Sequence, residues 1–155
     1  MSIAIFDNDV LVNIFDDLYI VKRDNFEKAM EYFKLKFSKV WIPETVKNEF
    51  FYIKKRETKL EKIFRNYSDL LSYCPITISK NEILPMLLNS SVQEGEADGI
   101  LQTQKAPYYR RYSNVDKFVF VSNDKRALEA AEKMGVETLP FTELRDELRE
   151  GGIII

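Results

Sequence analysis

Four acidic residues stand where a chain of alternating strands and helices can bring carboxylates together. Asp7 follows the apolar run IAIF (3–6), and Asp124 follows KFVFVS (117–122) after a single Asn. Glu49 falls one to two turns into a helix predicted after KVWI (39–42), and Glu96 falls in the first turn of the helix predicted from EGEADGILQTQ. In open α/β sheets, ligands collect in the crevice outside the carboxyl ends of the strands. If these strands are neighbours, the four carboxylates converge there. Clustered carboxylates repel unless they are protonated or bridged by cations, which implies Mg²⁺ or Mn²⁺, hard ions that take oxygen ligands. Such an ion can activate a water and stabilise charge on a scissile phosphate.

What the chain lacks narrows the chemistry further. There is no histidine, which removes the usual Ser-His-Asp and Cys-His nucleophiles and HExxH zinc sites. One cysteine, Cys74, can make neither a disulfide framework nor a thiolate zinc site, and it suits a reducing cytoplasm. With 45% hydrophobic and 31% charged residues, the 155-residue chain is neither disordered nor membrane-embedded, and it has the length of one domain spanning 1–155. The opening MSIAIFDND carries acid too early for a secretory leader, so a cytoplasmic protein is expected. A net charge of −2 leaves any nucleic-acid affinity to local basic patches.

Periodicity predicts the elements that must hold these acids. IAIF reads as a buried strand, with DVLVNIF as a short helix behind it. Asp24 and Glu27 resemble a capping box for the helix NFEKAMEYFKLKF. KVWI is a second strand, and Pro43 opens the helix PETVKNEFFYIKKR. ETKLEKIFRNYSDLL predicts a further helix, with Leu60, Phe64, Tyr67 and Leu71 on one face. PITI (75–78) predicts a short strand, and NEILPMLLN a helix interrupted by Pro85. Ser91 and Glu94 form a capping box for EGEADGILQTQ. KFVFVS is the clearest buried strand, followed by the helix NDKRALEAAEKMG with Gly135 as its cap, then VETLP and FTELRDELRE. Strands alternating with helices predict a mostly parallel sheet covered on both faces.

Each acid also has a purely local reading. Asp7, or its neighbour Asp9, can cap the short first helix, and Asp124 can cap the helix that follows it. Glu49 can be a solvated helix residue, and Glu96 favourable charge at a helix N-terminus.

Taken in order, the four segments resemble the PIN domain family, which includes the VapC-type toxins. IAIFDNDVLVNIF is similar to that family's first motif, WIPETVKNEF to its second, EGEADGILQ to a Gly-Glu-Ala form of its third, and FVFVSNDKRALEAAEKMGVE to its fourth. The resemblance runs across essentially the whole chain. It implies a three-layer α/β/α sandwich, with Asp7, Glu49, Glu96 and Asp124 as catalytic acids. It implies one or two Mg²⁺ or Mn²⁺ ions, with Asp7, Glu96 and Asp124 as ligands, and endonucleolytic cleavage of RNA. By analogy, Ser122 orients an acid or a water, and Asn8 stands where the family commonly has Thr or Ser. Asp98, two residues beyond Glu96, is a lesser candidate because it faces another way. The tract from Lys105 to Asn114 is longer than many relatives carry. A toxin of this kind would be held by an antitoxin covering the acidic cleft.

KAPYYRRY (105–112) supplies candidate substrate contacts. Lys105, Arg110 and Arg111 offer phosphate contacts and Tyr109 an aromatic face for an unstacked base. A solvated loop with tyrosines packed on the domain is the plainer reading. Lys54–Arg56 with Lys59 and Lys62 make a second basic face. Two rival functions follow from other residues. Asp7 and Asp9 have the spacing of haloacid-dehalogenase phosphatases, although Leu11 replaces the expected Thr or Val and Glu49 and Glu96 are left without a role. Alternatively, a silent PIN-like domain could keep only a binding role; helix 60–71 and Phe50, Phe51 and Tyr52 could form a dimer or partner surface, with ordinary core packing as the plainer reading. The terminal GGIII could add a strand to a sheet edge or stay unstructured.

Overall fold

In a computed structural model the described residues of the chain wind five strands and eight α-helices into three layers. The structure describes residues 2–15, 23–51, 55–109 and 117–153, the side chains of 50–51 and 55–60 excepted. Expectations for Tyr52, Lys54, Arg110, Arg111, Tyr112 and the last two isoleucines lie outside the described residues, as do those for the side chains of Phe50, Phe51, Arg56, Lys59 and Leu60.

The elements run β1 (Ser2–Phe6), α1 (Asn8–Leu11), α2 (Arg23–Lys36), β2 (Phe37–Ile42), α3 (Glu44–Phe51), α4 (Lys55–Asn66) and β3 (Leu71–Tyr73). They continue as α5 (Lys80–Asn89), α6 (Glu94–Lys105), β4 (Lys117–Ser122), α7 (Lys125–Lys133), β5 (Thr138–Pro140) and α8 (Phe141–Glu150). All strand pairs are parallel, in the order β3-β2-β1-β4-β5. This is the expected three-layer α/β/α fold. No helix among the described residues is long and apolar enough to cross a membrane.

Alternation along β1 makes the two outer layers. Ala4 and Phe6 face one core, with Phe26, Met30 and Phe33 of α2 and Leu144 and Leu148 of α8. Ile3 and Ile5 face the other, with Ile83 and Met86 of α5, Ala97 and Ile100 of α6 and Ala131 of α7. Phe6 meets Phe33 edge-on, with ring centroids 5.7 Å apart at 81°.

α6 comes unusually close to the sheet because it carries Gly99. A Cβ there would lie 2.8 Å from Phe120 Cε1 on β4. Gly99→Ala is therefore expected to force Phe120 or the helix outward, costing roughly 1–3 kcal/mol. Urea unfolding measures this, and an unchanged midpoint would show that the contact has slack.

Five local expectations are corrected. α2 begins at Arg23, so Asp24 lies in its first turn and does not cap it, and Phe37 opens β2 where the last helical residue was expected. α4 stops at Asn66, and Leu71 starts β3, because Leu70 N and Leu71 N both turn back to Tyr67 O. The edge strand is therefore LSY, and PITI is irregular, its Ile76 carbonyl accepting from the Gln102 side chain. Finally, α6 begins at Glu94 as expected, but its N-cap is Gln93 in place of Ser91, and Glu96, in place of Glu94, reaches back to the cap's backbone N–H at 2.8 Å.

Candidate active site

The strand order reverses between β1 and β4, since the chain leaves β1 towards β2 on one side and returns to β4 on the other. That reversal opens a crevice at the carboxyl ends of these two strands. Asp7 and Asp124 occupy it, each at the foot of a helix. Asp7 N donates to Val121 O at 3.1 Å, which pins the end of β1 to β4. The Asp7 side chain is 4% exposed. Its Oδ1 accepts from Asn8 N at 2.7 Å, and its Oδ2 accepts from Ser122 Oγ at 2.9 Å. Fully buried Ser122 in turn accepts from Asp124 N at 3.0 Å. One hydroxyl thus ties the two aspartates together. Asp124 Oδ1 accepts from Arg126 N at 2.8 Å, so it caps α7. For both aspartates the capping role and the crevice position hold together.

Glu96 enters from α6. It stands one turn before Gly99, on the same helical face, so the close approach at Phe120 carries it over the ends of β1 and β4. It is 5% exposed, and its side chain comes within hydrogen-bonding reach of Asp124.

Burial chiefly pushes the Asp7 carboxyl up from 3.8 to about 7; the charges of Asp9 and Glu49 add to this, while its bonds to Ser122 and Asn8 oppose it. Glu96 is likewise raised, first by burial and then by the charges of Asp7 and Asp124. The charges pressing on these two groups are thus other carboxylates. Asp9, considered in the sequence only as half of a phosphatase pair or as an alternative cap, belongs to this group. Its Oδ1 accepts weakly from Asn123 N at 3.5 Å, and burial with the Asp124 charge raises its pKa. The signal for it was present: it sits one residue past the helix start, on the side that faces β4.

Glu49 and Asp98 stand at the side of the crevice. Glu49 Oε1 accepts from Gly95 N at 3.2 Å. Asp98, 3% exposed, accepts from Thr45 N at 3.2 Å and from Gln102 Nε2 at 3.3 Å. The buried Oδ1 atom of Asn8 has no hydrogen-bond partner among the described residues. Lys105 and Tyr109 are not brought to the acids. Lys105 closes α6 and Tyr109 ends the turn that follows, which packs beside Lys117 at the start of β4. Along the helix Lys105 is roughly 14 Å away from Glu96. Lys105 ion-pairs with Glu82 there, and Tyr109 is 43% exposed. Lys62 is exposed on α4.

As the side chains stand, no three His, Cys, Asp or Glu among the described residues are disposed to hold a metal ion. Asp7, Glu96 and Asp124 each spend an oxygen on a backbone N–H instead. Their chemistry nevertheless fits Mg²⁺ or Mn²⁺. The donors are all oxygens with lone pairs to spare, and Asp7 and Glu96 are buried acids whose main electrostatic neighbours are further acids.

No family model matches the chain, and no curated protein matches it. In structure it is similar to a PilT N-terminus domain protein from the hyperthermophilic archaeon Sulfolobus solfataricus, with a TM-score of 0.48 and 12% identity over 94% of this chain and 92% of that one.

Proposed function

We propose that the chain is a PIN-like, metal-dependent nuclease that hydrolyses phosphodiester bonds of RNA at the β1–β4 crevice. One observation carries the reading: two buried carboxyls from different elements, Asp7 and Glu96, meet at the strand reversal with other carboxylates as the main charges upon them. Such an arrangement is costly unless a cation completes it. Asp7, Glu96 and Asp124 would hold Mg²⁺ or Mn²⁺, which when bound supplies positive charge for the scissile phosphate and acidifies a water nucleophile.

The chain's own residues do the rest. Ser122 fixes Asp7 Oδ2 and the Asp124 backbone in one geometry, so the two aspartates keep their spacing through the reaction. Asp9 stands beside Asp7 and Asp124, where it can accept a proton from an attacking water. RNA as the substrate rests on the motif resemblance. A phosphatase using Asp7 and Asp9 alone would leave the buried Glu96 unexplained.

The test is cleavage of labelled single-stranded RNA in Mn²⁺, in Mg²⁺ and in chelator, for wild type and for Asp124→Asn. Metal-dependent cleavage that falls at least a hundredfold in the variant is expected. A folded, metal-supplemented wild type that cuts no RNA would sink the proposal, and hydrolysis of p-nitrophenyl phosphate that needs Asp9 would replace it with the phosphatase.

A further inference from the structure

α3 and α6 cap each other. Glu49, in the second turn of α3, accepts from Gly95 N in the first turn of α6 at 3.2 Å. Asp98, one turn along α6, accepts from Thr45 N in the first turn of α3 at 3.2 Å. A helix leaves its first N–H groups without internal partners, and here each helix supplies the carboxylate that the other lacks. The fit around Gly95 is tight. A Cβ at that position would lie 2.7 Å from Glu49 Oε1 and 2.9 Å from Oε2, so the carboxylate occupies the space where a side chain would be.

Glu96 is the next residue in the chain after Gly95. Its side-chain Oε1 is tied to Gln93 N at 2.8 Å, and its backbone is anchored at the preceding residue by Glu49's hold on Gly95 N. The charges acting on Glu96 are those of Asp7 and Asp124, and Glu49 comes last among the influences on Asp7.

We propose that Glu49 is a positioning residue: it serves the site by accepting the Gly95 N–H and so fixing Glu96, with Asp98 as its counterpart on α3. The role requires an acceptor oxygen and no charge. It rests on the nuclease reading, and it changes the part expected of Glu49 from a catalytic acid to the clamp that sets one.

The test compares Glu49→Gln, Glu49→Ala, Gly95→Ala and the double variant Glu49→Ala/Gly95→Ala, in RNA cleavage and in amide hydrogen exchange at Gly95. An amide side chain keeps the acceptor, so Glu49→Gln is expected to stay within about fivefold of wild-type kcat and to keep Gly95 protected. Glu49→Ala should lose about tenfold or more in kcat with little change in KM, and Gly95 should exchange faster. Gly95→Ala should match it by displacing the carboxylate, and the double variant should be no worse than either single one, because all three break the same contact. Loss of activity in Glu49→Gln equal to that in Glu49→Ala would overturn the proposal and return Glu49 to a role through its charge. Unchanged kcat in Glu49→Ala would overturn it as well. If wild type cuts no RNA, the nuclease reading fails. Exchange at Gly95 then decides the clamp alone: protection kept in Gln and lost in Ala supports it, and equal protection in both overturns it. Should Gly95→Ala not fold, the Gln and Ala variants carry the comparison, with Asp98→Asn and Asp98→Ala read at Thr45 in the same way.

Discussion

Asp7→Asn is expected to cut RNA cleavage roughly a thousandfold and yet to melt about 5 °C higher than wild type at pH 8 in chelator. The activity loss follows from removing the carboxylate that Ser122 holds at the crevice. The gain in stability follows from linkage. A carboxyl whose folded pKa is raised binds its proton more tightly folded than unfolded. Its favourable contribution is complete below the unfolded value near 3.8, and it fades as pH rises to the folded value of about 7. Wild type therefore loses stability across that window and carries the full cost of a buried charge at pH 8. A shift of about 3 units corresponds to roughly 4 kcal/mol at most. Asn carries no charge to bury, but its amide serves Ser122 less well, which leaves a net gain of about 2 kcal/mol. Near pH 4 the folded carboxyl is protonated and buries no charge, so only the poorer amide contact remains and the variant should be about 2 kcal/mol less stable than wild type. Thermal melts of both proteins at pH 4 and pH 8 measure it, and a variant less stable than wild type at pH 8 would mean that Asp7 is already satisfied without an ion.

The second large effect is stabilisation by the ion itself. Mn²⁺ at about a hundred times its dissociation constant should add about 2.7 kcal/mol, or roughly 5–10 °C in Tm. Protons compete for the same carboxylates, so the increment should be larger at pH 8 than at pH 5.5. Glu96→Gln should lose most of it while remaining folded, since Gln still supplies an oxygen to Gln93 N. Equal increments at both pH values, or one that survives in Glu96→Gln, would place the ion elsewhere on the protein.

The strands that build the crevice were plain in the sequence because they are buried on both faces. IAIF and the FVFV of KFVFVS are unbroken apolar runs, and such runs have few alternatives in a short chain. Asp7 and Asp124 were legible for the same reason, standing directly beyond those runs. β3 was missed because a three-residue edge strand carries little pattern of its own, and PITI offered a stronger local signal that Gln102 overrides from across the fold. The cap of α6 was misplaced because Ser91 with Glu94 is a better local capping box than Gln93 with Glu96. Tertiary structure selects the weaker one, with Glu49 holding Gly95 and Gly99 seated on Phe120. The grouping in KAPYYRRY gave no hint that Lys105 faces Glu82 on α5. Partners distant in sequence leave no trace in local spacing.

The glycines of α6 have a consequence for when the site first exists. Each lowers the intrinsic tendency of that segment to be helical by about 1 kcal/mol relative to alanine, and both lie in the half of the helix that carries Glu96. That half gains its order from α3 and from β4, the first made early in synthesis and the second after α6 itself. A chain still emerging, or one opened locally at β4, has its acids but no ordered place for Glu96. The acidic arrangement is then a property of the chain folded through β4, and a shorter folding intermediate does not yet hold it.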